Sequence, residues 1–279
     1  MTNPYTLIIT TSLLTGLLAG FIMHRSSFCV TAMFRDIFLF KDGYMMRMLL
    51  ILVVASMLLF QLGNSSGLLT ANPFPLLGKP SLATLVGGML FGIGMVLAGG
   101  CVVGTLYKMG AGSVLSLVAF IGLLSGSALY ADLHPHWSQF AKATTLSSDI
   151  TLPQLFEIEA YLLTLPLALL GLIYIYQLHR GNRLTKSTAL EGYIAPWKAA
   201  LLLALLGFIS YLFVGMPFGI TTSYAKLGAT FEALFLPEHV ASLVYFNATP
   251  LNYTPPSLRP ALAAVQDHSS MPLLPFNIP

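Results

Sequence analysis

Apolar residues fall along this chain in long blocks rather than in alternation. Six runs, near 6–23, 44–62, 82–98, 113–130, 159–177 and 197–214, are each long enough to cross the hydrocarbon core of a bilayer as a helix. A seventh run, 227–246, is weaker because Glu232, Pro237, Glu238 and His239 interrupt it. The pattern predicts an all-α integral membrane protein of about six to seven spanning helices plus short re-entrant half-helices, with the lipid bilayer as its surroundings. Between the runs lie polar segments. The longest, after Tyr130-Ala131-Asp132 and up to Leu155, carries His134, Pro135, His136, Trp137 and Lys142 and reads as a surface loop. Its two histidines have no carboxylate or thiol close in sequence, so they read as surface histidines rather than metal ligands. The third run holds Gly87, Gly88, Gly92 and Gly94, which read as a face for close helix packing. After Phe246 no spanning run occurs, and 247–279 reads as a proline-rich, non-spanning tail.

Composition narrows the class. A hydrophobic content of 56%, a charged content of 8% and a mean hydropathy of +0.80 exclude an ordinary soluble domain. A net charge of +3 is too small to suggest a nucleic-acid partner. The basic residues are unevenly placed. Arg25, Arg35, Lys41, Arg47, Lys108, Arg180, Arg183, Lys186 and Lys198 flank or follow runs one, three and five, whereas only Lys79 and Lys142 follow runs two and four. The positive-inside rule then puts the odd loops in the cytoplasm and the N-terminus outside. The first five residues lack the basic region of a signal peptide, so the first run is expected to be retained. The two cysteines form no C-x-x-C and no histidine stands at ligand spacing, so neither a disulfide scaffold nor a metal site is expected. With no nucleotide-binding motif either, the reading is a non-enzymatic protein without cofactors.

The chemistry concentrates where the apolar runs are interrupted. The first run ends at Arg25-Ser26-Ser27-Phe28-Cys29-Val30-Thr31, and the third at Gly99-Gly100-Cys101-Val102-Val103-Gly104-Thr105 with Lys108 just beyond. A third copy, Pro217-Phe218-Gly219-Ile220-Thr221-Thr222, follows the sixth run and has glycine where the others have cysteine. Each reads as a broken helix: a full span, then a half-helix whose first N–H groups are unpaired and lie at the positive end of the helix dipole. Such ends face anionic substrates in membrane transporters, and the third copy would enter from the opposite face, as an inverted-topology repeat predicts. On that reading 1–130 is the first repeat and 159–246 a partial second one. The step between the cysteine copies, repeated from Gly219, would run past residue 279, so the second repeat is read as incomplete. The candidate path residues are Ser26, Ser27, Cys29, Gly99, Gly100, Cys101, Gly104, Lys108, Gly219 and Thr221, with Thr31, Thr105 and Thr222 as further hydroxyl donors. A helix N-terminus favours the thiolate, but burial in apolar surroundings is expected to win and keep both cysteines neutral thiols, able to donate to an anion that a thiolate would repel.

These motifs, in order and spacing across roughly 6–230, resemble the YeeE/YedE family of sulfur-transport membrane proteins. The segment Asn252-Tyr253-Thr254-Pro255-Pro256 is similar too. The resemblance implies uptake of thiosulfate, or a related sulfur or selenium species, by a multi-pass protein of the bacterial inner membrane. It also implies that cysteine thiols lie in line along a narrow path and hand the anion on by hydrogen bonds. Cys29 and Cys101 match two of the family's cysteines. The third belongs to a fourth half-helix that this sequence lacks. A cytoplasmic sulfur-carrier protein is a candidate receiving partner. Two alternatives stay open: a membrane thiol–disulfide oxidoreductase, and a non-transporting subunit that needs a partner chain.

Overall fold

The computed structural model describes residues 4–69, 78–147, 149–181, 184, 192–214 and 220–246. Among them the chain is helical with no strand, and six helical stretches are long and apolar enough to cross a membrane. The first is α1 (Pro4–Ser26) with α2 (Val30–Phe40), followed by α3 (Tyr44–Ser65). The third is α4 (Leu82–Leu97) with α5 (Val102–Gly110). Then come α6 (Val114–Ala143), a short α7 (Leu152–Leu155), α8 (Ala160–Arg180) and α9 (Pro196–Val214). Last are α10 (Ile220–Ala233), α11 (Pro237–Ser242) and a 3-10 turn, Val244–Phe246. The protein is an all-α, multi-pass integral membrane protein. Its outward surface agrees: Leu97 is 81% exposed and Phe38 77%, side chains that water would expel and lipid accepts.

The tightest packing joins α1, α3, α8 and α9. Ile22, Phe28, Met33, Met48, Ile51 and Leu206 form its core, with Ala199 and Ala200 letting α9 approach closely. Two glycines fix the contacts of α3. A methyl group on Gly63 would come 2.8 Å from the Phe208 ring, and one on Gly171 would collide with Val54. In either case the neighbouring side chain must shift to admit a larger residue. A second core gathers Ala131, Ala229, Val240 and Phe246 where α6, α10 and α11 meet. There His239 Nε2 lies 3.0 Å from Asp132 and 3.4 Å from Glu232, which ties the three helices together.

Three sequence expectations need correction. The polar segment after Asp132 is not a loop, because α6 continues to Ala143 with Pro135 inside it. A proline removes only one N–H from the helical ladder, and the residues on either side keep the rest. His134 is accordingly no surface histidine. It is half-buried, with its ring centroid 4.9 Å from Tyr245 and 5.9 Å from Tyr130, whereas His136 is exposed as expected. The seventh run is not a span, since Pro237 starts a separate short helix, α11, and the chain leaves helix between Ala233 and there. Among the described residues the glycines of the third run seat another helix at one place only, where a methyl group on Gly87 would lie 3.7 Å from the Trp137 ring of α6. A methyl group placed on Gly88, Gly92 or Gly94 would have no neighbouring atom within 4 Å, and Ala83 is the one buried residue of α4.

Candidate functional site

The two cysteine motifs produce two helix restarts. Leaving α1, Ser27 takes a left-handed conformation (φ 51°), and the Phe28 N–H bonds the Met23 carbonyl at 3.2 Å. The Phe28 side chain, 2% exposed, wedges the turn into the core. Cys29 is then extended (φ −142°) and is the N-cap of α2, its carbonyl accepting from Met33 N–H at 3.1 Å. At the second break Gly99 is left-handed (φ +64°), which an L side chain rarely adopts, and Gly100 N–H bonds back to Met95. Cys101 is extended and caps α5: its sulfur accepts the Gly104 N–H at 3.2 Å, and its carbonyl accepts from Thr105 N–H at 2.8 Å. Neither α2 nor α5 is long enough to cross a bilayer alone.

The fold brings these two restarts together. The Cys29 thiol donates toward the Cys101 sulfur, with the sulfurs 3.9 Å apart and both thiols free. Gly104 is the floor beneath them. A methyl group there would lie 2.9 Å from the Cys29 sulfur and 3.3 Å from that of Cys101, so only a hydrogen fits under the pair. Cys29 is 2% exposed and Cys101 half-buried.

Two cavities flank α5. One, about 680 Å³, is lined by Gly20, His24, Val103, Tyr107 and Ile220 among others, with His24 and Tyr107 packed edge to face at 6.1 Å. The other, about 340 Å³, is lined by Gly100, Val102, Thr105, Ser127 and Thr221. The first residues of α10, Ile220 and Thr221, therefore reach one cavity each, which places the start of the third motif beside the two cysteine restarts. Gly219 lies outside the described residues, as do Arg183, Lys186, Pro217, Phe218 and the segment 247–279.

The remaining sequence candidates divide. Gly99, Gly100, Gly104 and Thr221 are at the site. Ser27 is at its edge, its hydroxyl paired with that of Tyr193. Ser26 is fully buried, but its hydroxyl donates to the Ile22 carbonyl of its own helix at 2.7 Å. The Thr105 hydroxyl likewise donates to the Cys101 carbonyl at 3.0 Å. Lys108 turns back and donates from Nζ to the Gly99 carbonyl at 2.6 Å, so its cation sits at the carbonyl end of α4, where positive charge is favoured. Sequence reasoning misses Tyr107, Tyr224 and Lys226. Lys226 is 3% exposed on α10, unusual for a charge in a membrane protein. Its position within the first two turns of a half-helix is the available signal.

Broken helices whose restarts present thiols and N–H groups to one point, between two cavities, belong to the class of multi-pass membrane transport proteins. Residues 25–255 match the family model described as sulphur transport, and the chain belongs to that family, YeeE/YedE. It is 40% identical over 121 residues to the thiosulfate transporter TsuA of Spirochaeta thermophila, covering 43% of this chain and 35% of that one. It is 42% identical over 129 residues to the thiosulfate transporter TsuA of Escherichia coli, covering 45% and 35%. With the probable transporter YedE of Salmonella typhimurium the identity is 30% over 142 residues, covering 50% and 32%. The matches thus span about a third of the length of these relatives.

Proposed function

We propose that this chain takes thiosulfate, or a related sulfur or selenium anion, across the bacterial inner membrane along a narrow path. On this reading the thiols of Cys29 and Cys101 hydrogen-bond the passing anion. The observation that carries it is the 3.9 Å approach of two free thiols, each at the start of a restarting helix. Stripping water from a dianion is costly unless donors replace it. The first N–H groups of α2 and α5 and the positive ends of their dipoles supply part of that replacement. A thiol supplies the rest weakly, which suits a station that must release what it binds. The family membership and the relatives named as thiosulfate transporters support the substrate class. The half-helices are read as re-entrant elements of two repeats, 1–130 and 159–246, and a cytoplasmic sulfur-carrier protein is the proposed receiver.

The sulfur approach also suits disulfide chemistry, the oxidoreductase alternative. With two cysteines in the whole sequence, however, no second pair exists to pass electrons onward. Uptake of radiolabelled thiosulfate by cells carrying the full chain tests the proposal, with and without a co-expressed sulfur carrier. Uptake above background that falls about tenfold in Cys29→Ala and Cys101→Ala is expected. Unchanged uptake in both variants would remove the thiol mechanism, and no uptake by the wild-type chain in either setting would remove transport.

A further inference from the structure

Tyr224 stands on α10 three residues after Thr221, and so on the same face of the helix. It is 5% exposed, and its hydroxyl is sealed from solvent without a hydrogen-bond partner among the described residues. Buried tyrosine hydroxyls ordinarily find one, since leaving a buried donor unmade is costly. Long side chains on a helix lean toward its N-terminus. The phenol therefore leans toward the start of α10, where Ile220 and Thr221 line the two cavities. Its ring is held edge-on by Phe120 of α6 at 5.6 Å. One turn further, Gly228 lets α10 come against the Leu124 backbone, since a methyl group there would lie 3.2 Å from that carbonyl. The ring is thus fixed from behind, and the cavity that Thr221 lines is bounded by Gly100 and Val102, the residues on either side of Cys101.

Two other hydroxyls that line the second cavity are committed elsewhere. Thr105 donates to the Cys101 carbonyl and Ser127 to the Leu123 carbonyl at 2.9 Å. Tyr224 is a buried donor one turn along α10 from Thr221, which lines the second cavity, and its proton is still available. We propose that Tyr224 is a specificity-determining residue of the path, donating its hydroxyl hydrogen bond to an oxygen of a sulfur oxyanion at Cys101. This rests on the transport reading above and deepens it. Thiols suit the soft sulfur of such an anion, and a phenol suits its harder oxygens, so the pair together selects an anion that carries both.

The test uses the full chain in proteoliposomes. Tyr224→Phe removes only the hydroxyl and keeps the ring against Phe120. It should lower thiosulfate uptake about tenfold, the worth of one hydrogen bond to a charged group, with unchanged thermal unfolding. Tyr130→Phe, at a ring cluster away from the cysteines, should take up thiosulfate at the wild-type rate. Two measurements on the wild-type protein accompany the uptake assay, and the first is independent of how the variant folds. Thiosulfate should protect Cys101 from alkylation by N-ethylmaleimide. With isotopically labelled tyrosine, thiosulfate should also shift a phenol infrared band that Tyr224→Phe lacks. Protection of Cys101 with no band shift, or with wild-type uptake in Tyr224→Phe, overturns the role of Tyr224 and leaves the transport reading intact. A wild-type chain that shows neither uptake nor protection overturns both.

Discussion

The two cysteine restarts share a sequence motif and solve different physical problems. At the Cys29 break the turn is held from the side. Phe28 is driven into the α1–α3–α9 core, and the chain around Tyr193 and Ile194 closes over it through Ser27 and the Arg25 carbonyl. The Cys29 sulfur makes no cap bond to its own helix and is turned toward Cys101. At the Cys101 break the turn is held from within. Gly99 supplies the left-handed backbone, Lys108 clamps the Gly99 carbonyl, and the Cys101 sulfur caps α5 through the Gly104 N–H. One thiol is buried by tertiary packing, and the other is positioned by its own helix. A matched pair of motifs thus yields one fixed sulfur and one aimed at it.

The sharpest way to break this pairing is Gly104→Val, which places carbon where both sulfurs rest. Misplacement on that scale should lower thiosulfate uptake about 100-fold. The same variant should resist the intramolecular Cys29–Cys101 disulfide that diamide is expected to form in the wild-type chain, read by mass spectrometry of the cross-linked peptide. Next come the thiols. Loss of either should lower uptake about tenfold, but only the Cys101 side should show a folding cost. Cys101→Ala removes a cap worth about 1 kcal/mol to α5, while Cys101→Ser, a good N-cap, should keep the wild-type melting temperature. Cys29→Ala removes no cap and should unfold at the same place as Cys29→Ser, as thermal unfolding in detergent can check. Lys108→Met should have a smaller effect, about threefold on uptake, because it loosens the clamp without touching a thiol. Smallest is Ser26→Ala. Its hydroxyl serves its own helix, so uptake should match the wild type, and a large loss would show that Ser26 turns to the path during transport.

Much of this architecture is legible in the order of residues because it depends on residue type at a backbone position. A glycine pair followed by a cysteine inside an apolar run has few structural outcomes, and a helix restart at the cysteine is one. Span count is legible for the same reason: length and hydropathy decide it. What stays hidden depends on where a side chain turns. Nothing in the order of residues says that Ser26 bonds back to Ile22, that Lys108 folds onto Gly99, or that the Tyr224 hydroxyl is left without a hydrogen bond. The segment Asp132–Ala143 misleads because polarity and a proline usually mark a loop. In α6 the helix is already established when it meets Pro135, and one missing N–H is too little to stop it. The glycines of α4 mislead because small residues permit close approach without requiring it.

That helix has a practical consequence. With Ala83 its single buried position, α4 meets little besides α6 among the described residues, yet it carries the glycine turn that sets the height of Cys101. Acyl chains are therefore expected to hold its alignment. Solvents that mimic those chains poorly should let α4 drift first, blunting Cys101 alkylation and thiosulfate protection while the α1–α3–α9 interior stays folded. Lipid nanodiscs should preserve both.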